Sequence, residues 1–181
     1  IFILYSNREF PTRRTIWTFL YSFRKYSEHL VYYWNLSFGK IPQSLLKTKY
    51  DCVIFHHSIT APWSPDQYKK RICYLEKIHL QANERIAFFQ DEFFLTDLLC
   101  EFIEKANVKT VFSVAPKTEW KKIYRKVNFE KVQFKSMLTG YIDERDISIA
   151  SEFWKKRNVD ICYRTFWGKR AFHIGSFGYL K

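Results

Sequence analysis

Glycine and proline are scarce, with five of each in 181 residues. Loops are therefore short and regular elements many. No G-x-G-x-x-G follows the first apolar run, Ile1 to Tyr5, so the dinucleotide fingerprint is absent. A Walker loop and a G-x-S-x-G nucleophile elbow are missing too. The four cysteines, Cys52, Cys73, Cys100 and Cys162, form no C-x-x-C pair, and with the histidines they make no zinc spacing. Cys52, Cys73 and Cys100 lie in apolar stretches and read as reduced core thiols of a cytoplasmic protein, with no metal expected. No apolar run reaches the ~20 residues of a membrane span, and no signal-peptide pattern is visible. There is no internal repeat and no low-complexity linker.

Acidic residues are outnumbered. Thirty Lys and Arg face 18 Asp and Glu, a formal net charge of +12. That balance favours anionic partners, whether phosphates, nucleic acid or an anionic membrane surface, unless a larger parent protein dilutes it. The chain is 47% hydrophobic and 20% aromatic, enough for a real core in one domain spanning 1–181. It opens at Ile1 without Met and already in a strand-like run, so trimming at the N-terminus is expected.

Short apolar runs alternate with helical spacing. Strands are expected at Ile1–Tyr5, His29–Trp34, Cys52–Phe55, Ile86–Phe89, Thr110–Val114 and Val132–Leu138, with a short seventh at Asp160–Tyr163. Helices are expected over Ile16–Phe23 and Ser44–Thr48. Another begins at the capping pattern Ser64-Pro65-x-Gln67, and two more carry Leu95–Ile103 and Trp120–Val127. The strands are continuous apolar runs, which parallel sheets buried on both faces require. The fold class is thus α/β, a Rossmann-like doubly wound, mostly parallel sheet with helices on both faces.

In such sheets ligands bind beyond the carboxyl ends of the strands. That rule selects Ser6, Asn7 and Arg8 after the first strand, Asn35 after the second, and His56-His57-Ser58 after the third. Gln90-Asp91-Glu92 follow the fourth, Ala115 and Pro116 the fifth, and Thr139, Gly140 and Tyr141 the sixth. A histidine here serves as a general base or a phosphate contact, or is satisfied by a turn backbone. Asp91 and Glu92 bind hydroxyls or take a proton, or else cap and charge the helix that follows. Arg8, Arg13 and Arg14 hold an anion by forked hydrogen bonds, or form a solvated basic loop.

Three segments resemble the N-terminal domain of bacterial glycosyltransferases with two Rossmann-like domains, the GT-B architecture, as found in polysaccharide biosynthesis. Phe55-His56-His57-Ser58 resembles the strand-end hYS segment, and Phe88-Phe89-Gln90-Asp91-Glu92-Phe93 resembles fiQDEY, the most specific of the three. Asn158-Val159-Asp160-Ile161-Cys162-Tyr163-Arg164 resembles iDvsYRgR, and Gly175-Ser176-Phe177-Gly178 matches the lGxlG that follows. Their order and spacing cover most of the chain. His57 and Phe93 stand where Tyr is usual, and Thr165-Phe166 replaces a Gly-Arg pair.

The resemblance implies one wall of an interdomain cleft, binding a carbohydrate or lipid-linked acceptor. The nucleotide-sugar donor belongs to a C-terminal domain beginning at or after the last residues, so no cofactor is expected in this domain and the chain alone is expected to be inactive. Asp91 and His57 are the candidate catalytic groups. Asn7, Arg8, His56, Ser58, Gln90, Glu92, Gly140 and Arg164 are the candidate acceptor-binding set. An inverting member needs a base near the acceptor hydroxyl and a retaining one does not; both stay open. The location implied is cytoplasmic, with peripheral attachment at the inner face of the plasma membrane.

Two readings compete. A basic α/β module binding nucleic acid or another polyanion fits the charge, although no nucleic-acid motif is present and nucleic acid is not the expected partner. A receiver or flavodoxin-like regulator is disfavoured because the third strand ends in histidines, not in a phosphoacceptor Asp.

Overall fold

Six strands run parallel in one sheet: β1 (Phe2–Tyr5), β2 (Tyr32–Asn35), β3 (Tyr50–Phe55), β4 (Ala82–Phe88), β5 (Thr110–Ser113) and β6 (Gln133–Ser136). Their order across the sheet is β2-β1-β3-β4-β5-β6. The helices are α1 (Arg14–Lys25), α2 (Gln43–Lys47), α3 (His57–Thr60), α4 (Pro65–Lys77), α5 (Thr96–Lys105), α6 (Trp120–Ile123) and α7 (Glu144–Trp154). This computed structural model describes residues 1–7, 14–61, 64–77, 80–138 and 143–154. The chain divides into two units, Ile1–Ile142, which holds the sheet, and Asp143–Lys181.

Side chains of a strand alternate between the two faces, and here both faces bury them. Phe2, Leu4, Val53, Phe55, Ala87 and Val111 pack with Tyr68, Ile72 and Leu75 of α4, with Leu99, Phe102 and Ile103 of α5, and with Tyr124. Ile3, Ile54 and Phe88 pack the other way, with Leu20 of α1 and the partly buried Ile16, Phe19 and Phe23. Each fully buried side chain of this size contributes roughly 1.5–3 kcal/mol. The fold is therefore α/β and Rossmann-like, with helices on both faces of a wholly parallel sheet.

The placement of α1 opposite α4 and α5 follows from handedness. A right-handed crossover from β1 to β2 sends the chain one way along the sheet, and β3 onward runs the other way, so their helices cover opposite faces. The direction reverses between β1 and β3. Their carboxyl ends, with residues Leu4 and Phe55 in register, flank the crevice that such a switch point opens.

Element ends differ from the sequence expectation in a few places, each for a local reason. β2 starts at Tyr32 because the Ile1 amino group donates to Leu30 O (2.8 Å) and Tyr32 N donates to Ile1 O (2.9 Å), so His29 and Leu30 only enter the ladder. β4 begins at Ala82, extending through the exposed Asn83 and Glu84 that hid it from an apolar count. α6 stops at Ile123, because Tyr124 leaves helical geometry and turns its ring into the core. Cys73, expected in the core, is exposed on the outer side of α4; Cys100 is buried and Cys52 half-buried. The expected strand at Asp160–Tyr163 lies outside the described residues.

In the second unit, Asp143 caps α7. Its carboxylate accepts from Arg145 N (3.0 Å) and from the Arg145 guanidinium (3.2 Å), and its carbonyl accepts from Asp146 N (2.8 Å).

Candidate functional site

The carboxyl edge of the sheet gathers polar side chains in two groups that differ in how they are satisfied. The first lies at the ends of β1, β2 and β3. Asn35 Oδ1 accepts from Asn7 N (3.0 Å) and from Ser37 N (3.0 Å), while its Nδ2 donates to Asn7 O (2.7 Å). The hydroxyls of Ser6 and Ser37 are 2.8 Å apart. Ser58 Oγ accepts from Ser6 N (3.0 Å) and lies 2.8 Å from His56 Nδ1. The loop after β1 is thus tied to the loops after β2 and β3 by the side chains of Asn35, Ser37 and Ser58.

His56 closes this group. Its backbone N donates to Leu4 O (3.0 Å), continuing the ladder one residue past β3. Its Nδ1 then accepts from Ser58 N (3.1 Å), so the imidazole serves as the cap of α3. A nitrogen that accepts an N–H carries no proton, so in the neutral ring the proton sits on Nε2. The residue is fully buried and Nε2 has no partner among the described residues. Burial, and after it the neighbouring His57, hold the His56 pKa well below its ordinary value. Arg71 of α4 reaches the same place, donating to Ile59 O (2.8 Å) and lying 3.5 Å from Ser6 Oγ.

The second group lies at the ends of β3 and β4. Phe55 pairs with Ala87, so His57 follows the end of β3 while Gln90 and Asp91 follow the end of its neighbour β4. Thr60 Oγ1 donates to Phe88 O (2.7 Å), pinning α3 to the end of β4. The side chains of His57, Gln90 and Asp91 make no hydrogen bond within the described residues. Burial lowers the His57 pKa to about 4, so the ring is neutral at pH 7. Burial raises the Asp91 pKa above its ordinary value.

Asp91 has φ 59, the left-handed region that few non-glycine residues adopt. It is no helix cap: α5 starts at Thr96 behind Leu95, also left-handed at φ 49, with no side-chain cap bond. The alternative role for Asp91 in the sequence is thereby removed.

Glu92 behaves oppositely. Expected among the acceptor-binding groups, it is instead 2% exposed with both oxygens occupied. Oε1 accepts from Val114 N (2.7 Å) and Ala115 N (3.4 Å). Oε2 accepts from Ser113 Oγ (2.5 Å) and from the Tyr124 hydroxyl. It ties the loop after β4 to the loop after β5, and burial beside it pushes the Tyr124 phenol pKa up.

Of the expected site residues, then, His57 follows the end of β3, and Gln90 and Asp91 follow the end of the neighbouring strand β4. Asn7, His56 and Ser58 join the tied group one strand over. Arg8, Gly140 and Arg164, like Thr139 and Tyr141, lie outside the described residues. Sequence reasoning missed Arg71, Ser37, Ser113 and Tyr124. Arg71 and Tyr124 read as ordinary helix positions, and only the tertiary packing reveals their partners. Among the described residues, no group of three His, Cys, Asp or Glu is placed to hold a metal ion, and no helix is long and apolar enough to cross a membrane. No family model matches the chain, and neither a curated protein nor a solved structure is significantly similar to it.

Proposed function

We propose that this chain is the acceptor-side half of a two-domain glycosyltransferase, with Asp91 taking the proton of the acceptor hydroxyl. The observation that carries this reading is the state of Asp91: left-handed backbone, no hydrogen-bond partner among the described residues, and a carboxyl whose pKa burial raises. A carboxylate made more basic, and without a partner among the described residues, at the carboxyl edge of a parallel sheet suits a general base. His57 suits that role less well, because a ring with a pKa of about 4 holds a proton poorly at pH 7. A neutral imidazole beside the base serves better as a hydrogen-bonding group that orients the acceptor.

In the step proposed, the acceptor oxygen attacks the anomeric carbon of the donor as its proton passes to Asp91. The bond to the nucleoside diphosphate breaks, and that group leaves with the electron pair. A base so placed serves an inverting transfer. The donor would be held by a separate C-terminal domain. Near-attack geometry needs both partners positioned, so the 181-residue chain alone is expected to release no nucleoside diphosphate from nucleotide sugars.

The test is Asp91→Asn in the full-length parent. Loss of a general base lowers kcat by about 10²- to 10⁴-fold. Transfer at the wild-type rate would refute the assignment.

The strand order β2-β1-β3-β4-β5 is shared with receiver and flavodoxin-like domains. The residues that follow β3 are His56 and His57, where a receiver domain carries its phosphoacceptor carboxylate.

Peripheral membrane attachment is part of the same proposal. The outer side of α1 exposes Trp17 (56%) and Tyr21 (49%), whose rings stack, above Arg24 and Lys25 in the last turn. Aromatic rings flanked by cations suit the interface of an anionic bilayer.

A further inference from the structure

Asp91 is held in a costly conformation by something other than itself. A left-handed residue with a Cβ is strained, and Asp usually tolerates it by bonding its side chain to nearby backbone. The Asp91 carboxylate makes no such bond among the described residues. Such conformations persist when the surrounding structure over-determines them.

The over-determining contact is one residue away. Glu92 takes two backbone N–H groups of the loop after β5, the Ser113 hydroxyl at the end of β5, and the Tyr124 hydroxyl beyond α6. Ser113 and Tyr124 are themselves fully buried. Four donors on one buried carboxylate fix the chain immediately after Asp91. Leu95, left-handed in its turn, closes the segment before α5. Phe89, fully buried, fixes it from the other side. Between these anchors the backbone has to reverse, and the left-handed turn at Asp91 is how Glu92 reaches inward while its predecessor stays at the edge.

We infer that Glu92 is the positioning residue for Asp91: by binding the turn to β5 and Tyr124 it holds the Asp91 carboxylate half-buried at the sheet edge, where an acceptor hydroxyl would meet it. This rests on the reading of Asp91 as the proton acceptor. Glu92 touches no substrate in this arrangement; it acts through its neighbour.

The experiment follows the Asp91 carboxyl by ¹³C NMR titration in the 181-residue chain, in wild type, Glu92→Gln and Tyr124→Phe. In the wild type Asp91 is expected to titrate above its ordinary value, as burial raises it. Both variants are expected to bring it back towards that value as the turn relaxes into water. Tyr124→Phe keeps the Glu92 charge, so a shift there is not a charge effect, and it carries the test if Glu92→Gln fails to fold. A second measurement adds Asp91→Gly. In the wild-type background glycine relieves the left-handed cost and raises Tm by about 2–4 °C. In the Tyr124→Phe background the gain shrinks, because the turn is no longer forced. An Asp91 titration unmoved in both variants, or an equal glycine gain in both backgrounds, overturns the inference. Neither measurement needs a substrate, so their failure speaks against Glu92, whereas transfer retained by Asp91→Asn in the parent speaks against the reading of Asp91.

Discussion

The imidazole rings of His56 and His57 lie with centroids 4.0 Å apart and planes tilted by 40°, with the Phe19 ring against both. Two histidines this close, under an aromatic lid, are stable together only when neutral. Their burial gives the fold an acid sensitivity.

In the unfolded chain His57 takes a proton as pH falls through about 6.5, while in the folded chain it resists until about 4. The unfolded state therefore binds more protons between these values, and stability drops as pH falls across that window. For His57 the loss amounts to about 3 kcal/mol, and His56 adds to it in the same direction. Above pH 6.5 the contribution is constant. Urea unfolding at pH 7 and pH 4.5 measures the slope, and His57→Phe is expected to remove its share. An equal pH dependence in that variant would count against the buried neutral pair.

Glu92→Ala strands three donors, Val114 N and the buried Ser113 and Tyr124 hydroxyls, while Ala115 N keeps Ser113 Oγ. A buried donor left unsatisfied costs roughly 1–3 kcal/mol, so this variant is expected to lose about 3 kcal/mol or more. Tyr124→Phe removes one donor and leaves an acceptor with three others, for a loss of about 1 kcal/mol. Denaturant midpoints for the pair give the ranking; a smaller loss for Glu92→Ala than for Tyr124→Phe would contradict the network.

Asn35→Ala removes a side chain that bonds both the N–H and the carbonyl of Asn7. The expected loss is about 1–2 kcal/mol. Amide exchange should quicken at Asn7 and Ser37 while β4 and β5 stay protected. Uniform acceleration across the sheet would show that Asn35 does not act locally.

The α1 surface makes a prediction about lipid. Vesicles rich in anionic phospholipid are expected to sediment the protein at low ionic strength and to release it as salt rises past the physiological range. Trp17→Ala with Tyr21→Ala weakens this, and so does Arg24→Glu. Binding that ignores all three substitutions places the contact elsewhere, and no binding at low salt removes membrane attachment from the proposal.

Much of the architecture was legible because burial on both faces leaves a plain mark. Cys52–Phe55 is apolar throughout and Thr110–Val114 largely so, and both are strands within a residue or two of where the runs begin and end. Polar strand residues were the blind spot: Asn83 and Glu84 lie in β4, where exposure permits them. The candidate site was legible as positions and not as roles. The strand-end rule selected His57, Gln90 and Asp91, which follow the neighbouring strands β3 and β4. It also selected Glu92, since adjacent carboxylates look alike in a sequence. What separates them is a backbone dihedral at Asp91 and a hydroxyl delivered by Tyr124 from beyond α6, neither of which has a local signature.

The strand order has a consequence for how the molecule opens. Every ladder joins distant segments; even the shortest pairing sets Thr110 beside Gln133, and β1 reaches from Phe2 to Val53. Such non-local closure slows folding. β2, however, pairs with β1 alone, and the buried core beneath α1 is the small cluster around Leu20. Thermal agitation should therefore detach β2 and α1 as one cooperative unit before β3, β4 and β5 give way. The Asn35 clasp on Asn7 belongs to that early-opening unit, whereas Asp91 and Glu92 sit in the part that melts last. A protease in limiting amounts would accordingly cut first between α1 and β3 and leave the β4 turn whole.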